Sequence, residues 1–190
     1  MKALHAAACL FLLAAPGAVL GQKAPAPAPA PPAEDDITNR IINLPPPSAY
    51  RVDGAKGTIR SDEGVQGGKA LRIIVPGKSE QAWTVSVANP IQKPVKAGDK
   101  LVLAFWARLA TPAKGATTAS LPFNGVQLAS APYTPLFSSG VEVGPEWKLY
   151  EVKGKADKDH AGGTLNAALH LATGKHTIDL GPVFVLNMGQ

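Results

Sequence analysis

Cysteine occurs once in this chain of 190 residues, at Cys9, inside an apolar run near the N-terminus. Beyond that run the sequence excludes a disulfide framework, a thiolate metal site and a cysteine nucleophile. Helical periodicity is missing too: after residue 21 no stretch keeps apolar residues at 3–4 spacing through three turns. Acids are few. By strand alternation none pairs with another on the face that carries Trp106, so the two flanking carboxylates of a glycosidase are not expected. There is no Gly-x-Ser-x-Gly elbow and no His-x-x-x-His. The glycine pairs precede no helix, so no phosphate cradle is expected. Asp157-x-Asp159-His160 lies among Lys153, Lys155 and Lys158. Those cations oppose a metal, and the segment reads as a solvated turn. An enzyme is therefore not expected. The net charge of +5 comes from scattered lysines rather than basic runs interleaved with aromatics. It serves solubility, and no nucleic-acid partner is expected.

The N-terminus has the order that a signal peptidase reads. Lys2 gives a positive start, residues 6 to 15 are apolar, and small residues lead through Val19-Leu20-Gly21 to Gln22. The apolar run is shorter than the roughly 20 residues a membrane span needs. Cys9 sits inside it rather than at its end, which argues against lipid attachment. Residues 1–21 are read as a signal peptide, with a secreted or periplasmic destination and no transmembrane anchor after cleavage. Residues 22–35 contain KAPAPAPAPPA, whose alternating Pro and Ala disfavour a helix and make an extended spacer. The folded domain is expected over 36–190.

Within that domain the pattern is strand, breaker, strand. Runs of β character cover 50 to 52, 57 to 60, 70 to 75, 83 to 87, 101 to 109, 125 to 129, 147 to 152, 164 to 171 and 177 to 186. Gly, Pro, Asn and Asp punctuate them. The expectation is an all-β, two-sheet antiparallel sandwich, with 111 to 124 as a long loop. Side chains alternate across a strand, so parity separates the faces. Leu101, Leu103, Phe105, Ala107 and Leu109 form a purely apolar set, as do Leu165, Ala167, Leu169 and Leu171; both sets are assigned to the core. Tyr150 and Val152 join them, and the shared parity of Trp83, Val85 and Val87 assigns Trp83 to the core as well. The opposite parity places Trp106, Arg108, Gln127, Asn166 and His170 on a second kind of face. An aromatic beside amide, guanidinium and imidazole groups suits a sugar, which offers an apolar C–H face and a rim of hydroxyls. Tyr133 is a further aromatic for its rim, and Trp83 is an alternative one against which its parity with Val85 and Val87 weighs. The same set also fits an internal polar network or a solvated sheet face, and for His170 alone a structural role is the simpler reading.

Several segments resemble the family 4/9 carbohydrate-binding modules, the CenC-like jelly rolls with a galactose-binding-domain-like sandwich. Gly67-Gly68-Lys69-Ala70-Leu71-Arg72-Ile73 is similar to an early strand of that family. Ala97-Gly98-Asp99-Lys100-Leu101 through Phe105-Trp106-Ala107-Arg108 is similar to a central one, and Glu146-Trp147-Lys148-Leu149-Tyr150-Glu151-Val152 to a later one. Leu169-His170-Leu171 with residues 177 to 185 resembles the closing pair. The resemblance spans 40 to 189. It implies a jelly roll that takes its ligand on a concave face or a loop edge, in modules accessory to glycoside hydrolases. Many members hold a structural calcium; here Gly181-Pro182 stands near the place of its aspartate. No metal or other cofactor is expected, with Asp179 and Asp36 the first candidates if one were held. The functional expectation is an exported, non-catalytic module that binds an oligo- or polysaccharide. A structural or protein-interaction module of the cell envelope, with an envelope or secreted protein as partner, stays open beside it.

Overall fold

The computed structural model describes residues 36–190. The expected signal peptide and Pro/Ala spacer lie outside the described residues. Ten strands follow in chain order: β1 (Arg51–Asp53), β2 (Gly57–Ser61), β3 (Lys69–Val75), β4 (Ser86–Ile91), β5 (Lys100–Thr111), β6 (Ala119–Leu128), β7 (Pro135–Val143), β8 (Lys148–Lys155), β9 (Leu165–His170) and β10 (His176–Asn187). They form two five-stranded sheets, ordered β1-β4-β9-β6-β7 and β2-β3-β10-β5-β8. Every pairing is antiparallel. The expected antiparallel sandwich is the observed fold.

The core forms where the two inner faces meet. One sheet contributes Ile73, Leu103, Phe105, Ile178, Leu180 and Val185; the other contributes Val87, Ile91, Leu121, Val126, Leu165 and Leu169. All are fully or almost fully buried. Alternation placed the apolar sets of β5 and β9 correctly, because neither strand is interrupted at those residues. Truncating a side chain such as Phe105 would remove about 3–5 kcal/mol. The segment before β1 is stapled to this core by Asn43, whose Nδ2 donates to Val183 O and whose Oδ1 accepts from Val185 N, both at 2.7 Å.

Register shifts interrupt the β10–β5 and β6–β7 ladders twice each; in each ladder one of the bulges contains a proline that cannot supply a ladder N–H. In β10, the pairing steps from Leu180↔Ala107 to Val183↔Phe105, so Gly181 and Pro182 together oppose Trp106. A Cβ on Gly181 would lie 2.4 Å from Val65 Cγ2 and 2.8 Å from Trp106 Cβ, so only glycine fits. In β6, the pairing steps from Leu121↔Val141 to Asn124↔Ser139, so Pro122 and Phe123 oppose the single Gly140. Leu121 points to the core before this bulge, and Asn124 and Val126 do so after it. The long loop expected at 111 to 124 is cut to 112 to 118: β5 runs through Thr111 and β6 begins at Ala119. Strand β7, with Ser138-Ser139-Gly140 at its centre, carries no clear β pattern in the sequence.

Candidate functional site

The bulge in β6 sets the geometry of the outer face of the β1-β4-β9-β6-β7 sheet. Past it, Gly125 and Gln127 face outward. Register then lines up three rows across the strands. The middle row is Arg51, Ala88, Ala168, Gly125 and Ser138, each paired with the next. Its centre is two alanines and a glycine, so the sheet is bare there and forms the floor of a trough. One bank carries Asp53, Ser86 and His170, also paired in sequence. The other carries Pro90, Asn166 and Gln127. The cleft has a volume of about 760 Å³, and its lining includes Arg51, Asp53, Glu80, Trp83, Phe123, Gln127, Tyr133, Asn166 and His170.

On the first bank, Phe123 stacks on His170 with ring centroids 4.2 Å apart and planes at 15°. Trp83 meets the same imidazole edge-on, at 6.3 Å. Burial lowers the His170 pKa, so the ring is neutral at neutral pH. Trp83 is 57% exposed. Its assignment to the core is corrected by local structure: residues 82–84 form a turn of 3-10 helix just before β4, which breaks the alternation that Val85 and Val87 obey. On the other bank, Tyr133 is 51% exposed at the tip of the β6–β7 connection. Its N–H donates to Ser130 O at 2.9 Å, across a turn that includes the cis Ala131-Pro132 bond. Tyr133 also has φ of 57°, a left-handed conformation rare in a bulky residue. Non-glycine residues held this way cluster at ligand sites.

Asn166 and Gln127 sit opposite each other between these aromatics. Neither side-chain amide has a hydrogen-bond partner among the described residues. Asn166 is only 6% exposed. Among the described residues the fully buried side-chain polar atoms without a partner are Asn89 Oδ1, Asn124 Oδ1 and His176 Nε2, so the Asn166 amide opens into the trough. A ligand hydroxyl there would bond it.

Four of the six residues singled out from the sequence therefore share this trough: Gln127, Asn166, His170 and Tyr133. Trp106 and Arg108 do not. They lie on β5, in the other sheet. Alternation tells which face of a strand a residue occupies, but not which sheet the strand joins. Nor do Leu121, Pro122 and Phe123 cover Trp106; Leu121 is core, and the other two line the trough.

No protein-family model matches the chain, and no curated protein matches it. Solved structures do. A structure described as "CBM4 structure and function" superposes with a TM-score of 0.57 over 74% of this chain and 96% of its own, at 18% identity. The N-terminal cellulose-binding domain of Cellulomonas fimi β-1,4-glucanase C gives 0.55 over 76% and 91%, also at 18% identity. The CBM22-1 xylan-binding domain of Paenibacillus barcinonensis Xyn10C gives 0.50 over 80% and 93%, at 13% identity. The domain has the jelly-roll fold of the family 4 carbohydrate-binding modules. The resemblance read from the strand motifs thus holds for the fold.

The second outer face of this CBM4-like jelly roll is closed by its own charges. Asp179 is fully buried. Arg72 donates to both of its oxygens, at 2.7 and 2.9 Å, Arg108 Nε donates at 3.0 Å, and Arg60 at 3.2 Å. Arg108 also reaches Asp62 at 2.7 Å and lies over the Trp147 ring at 4.9 Å. Trp106 Nε1 donates to Gln66 at 3.1 Å. Burial pushes the Asp179 carboxyl up, but hydrogen bonds and charge from Arg72 and Arg108 outweigh it and hold it below the ordinary carboxylate range. Three guanidiniums around Asp179 do not fit a calcium ion there. Asp36 is engaged by Thr38 N at 3.0 Å. Among the described residues no group of three or more His, Cys, Asp or Glu gathers to hold a metal. Asp157 accepts from His160, and Asp159 accepts from Ala97 N and Lys96.

Proposed function

We propose that this domain binds a glycan chain in the trough across β1-β4-β9-β6-β7 and catalyses no reaction on it. The observation that carries this reading is the unpartnered Asn166 amide, open to the trough beside Gln127 and flanked by the exposed rings of Trp83 and Tyr133. The rings would pack on the C–H faces of sugar units, and the amides would exchange hydrogen bonds with their hydroxyls. Five strands at about 4.8 Å spacing make a trough roughly 19 Å long, which suits a short run of linked sugars better than a single ring. Two of the similar structures carry the words cellulose-binding and xylan-binding, which makes β-1,4-linked glycans the first ligands to try.

The non-catalytic reading rests on the carboxylates at the rim. Glycosidic cleavage needs one protonated acid in an apolar setting and one ionised partner. Asp53 and Glu80 are both exposed, and Asp53 is ion-paired to Arg51 at 3.0 Å. Neither is set up as an acid. Export of the chain, the spacer role of residues 22–35 and service to a glycoside hydrolase belong to the same proposal. They are supported by the N-terminal sequence and by the kinship in fold. Among the described residues no helix is long and apolar enough to cross a membrane.

Titration calorimetry of the full chain with cello- and xylo-oligosaccharides tests the reading. Saturable binding is expected, with Asn166→Ala weakening it by roughly tenfold, the worth of a lost hydrogen bond in a desolvated site. Absence of binding to every glycan tried by a folded chain would instead favour the envelope interaction module.

A further inference from the structure

The charges along the trough name a narrower class of ligand. The chain carries an excess of basic residues, with 19 Lys and Arg against 14 Asp and Glu. Its trough reverses that sign. Arg51 is the sole Lys or Arg in the lining, against the carboxylates of Asp53 and Glu80. Arg51 Nε donates to Asp53 Oδ2, which neutralises the pair. Glu80 has no hydrogen bond or ion pair among the described residues, and it stands exposed on the segment that also presents Trp83. His170 on the same bank is neutral, because burial lowers its pKa.

We infer that the trough selects glycans bearing amino groups, that is β-1,4-linked 2-amino-2-deoxy-hexose chains, over uronic-acid chains, with neutral chains between. The inference rests on the reading of the trough as a glycan site. Its carriers are the free carboxylate of Glu80, the exposed face of Trp83 beside it, and the unpartnered Asn166 amide that marks the trough as a site at all. A sugar ammonium near the Trp83 bank meets a carboxylate that no protein cation occupies and an aromatic face that attracts cations. A uronate in the same place meets Glu80 and Asp53 with no free guanidinium or ammonium to offset them. The acids alone would not make a site, since solvated rim carboxylates are ordinary. It is their placement on one bank of a trough into which the largely buried Asn166 side chain presents an unpartnered amide that gives them a ligand to act on.

The test uses the full chain and three β-1,4-linked oligosaccharide probes matched in length: glucosamine oligomer, cello-oligosaccharide and oligoglucuronate. Binding is measured at about pH 5.5, above the ordinary carboxylate range, at low and at high salt. The glucosamine oligomer is expected to bind about two- to fivefold tighter than the neutral one at low salt, the scale of one exposed ion pair. That lead should vanish in Glu80→Gln and shrink in high salt, as screening requires. The oligoglucuronate should bind weakest and gain in Glu80→Gln. Neutral and amino oligomers binding equally, or a lead that survives Glu80→Gln, would overturn the inference and leave the trough as a glycan site. No binding of any probe by a folded chain would overturn both.

Discussion

At the scale of single residues, the unpartnered amides of Asn166 and Gln127 separate the trough from the opposite face, whose polar groups bond one another. Trp106 and Arg108 look equally suited to a sugar in the sequence, but each is already engaged. Trp106 bonds Gln66, and Arg108 divides its donors between Asp179 and Asp62. Their role is structural, and it can be measured. Asp179→Asn is expected to destabilise the domain by about 2–3 kcal/mol in urea denaturation, less than a wholly buried pair because the guanidiniums reach solvent. Glycan affinity should be unchanged in the fraction that remains folded. In the trough, Trp83→Ala should cost more than tenfold in affinity while the circular dichroism spectrum stays native, because the exposed ring contributes little to the core. Four residues that line the proposed trough were singled out by the sequence. Trp83 was weighed for a rim but assigned to the core, because nothing in the alternation of 83 to 87 reveals that a turn of 3-10 helix precedes β4. Nor was Glu80, which no strand pattern carries to the trough.

At the scale of elements, the proline bulge in β6 decides which side chains face the ligand. Pro122 and Phe123 occupy the space opposite one residue of β7, and this turns Phe123 toward His170 and Gln127 toward Asn166. Deleting Pro122 would remove the bulge and leave Phe123 alone opposite Gly140, with the Leu121↔Val141 and Asn124↔Ser139 pairings both kept. Weakened binding with the fold retained is expected, read by titration and thermal melting. The floor offers a cleaner variant. Ala168 sits at the centre of the middle row, paired with Ala88 on one side and Gly125 on the other. Ala168→Leu should obstruct the trough that Ala168 lines and abolish binding, with thermal melting reporting what the larger side chain costs at a position only 2% exposed. The apolar sets of β5 and β9 could be read from alternation because those strands are regular. The extent of β6 and the existence of β7 could not, because a bulge, a proline and a run of small polar residues interrupt the pattern on which alternation depends.

At the scale of the whole molecule, two sheets of the same size present outer faces of different character. One is held shut by arginine–aspartate pairs, and the other is open over a floor of small residues. Acid should weaken the fold through both. The Asp179 carboxyl has a folded pKa below its ordinary value, so its contribution is present above the usual carboxylate range and is lost as pH falls through the lowered value. Burial likewise lowers His170 and His176, so the unfolded chain binds protons first as pH drops below about 6.5, and stability declines from there. Melting curves against pH should show a first decline near the ordinary histidine range and a second in the carboxylate range. A profile flat from neutral pH down to the carboxylate range would contradict the histidine part. The sandwich itself was legible from the spacing of strands and breakers; which strands share a sheet was not, since pairing partners in this fold are far apart in sequence. The most direct test of the central claim is a comparison of Trp83→Ala with Trp106→Phe in a titration of the full chain against β-1,4-linked oligosaccharides. The trough predicts saturable binding that Trp83→Ala removes and Trp106→Phe retains; binding that survives Trp83→Ala and fails in a folded Trp106→Phe variant would place the site on the other sheet.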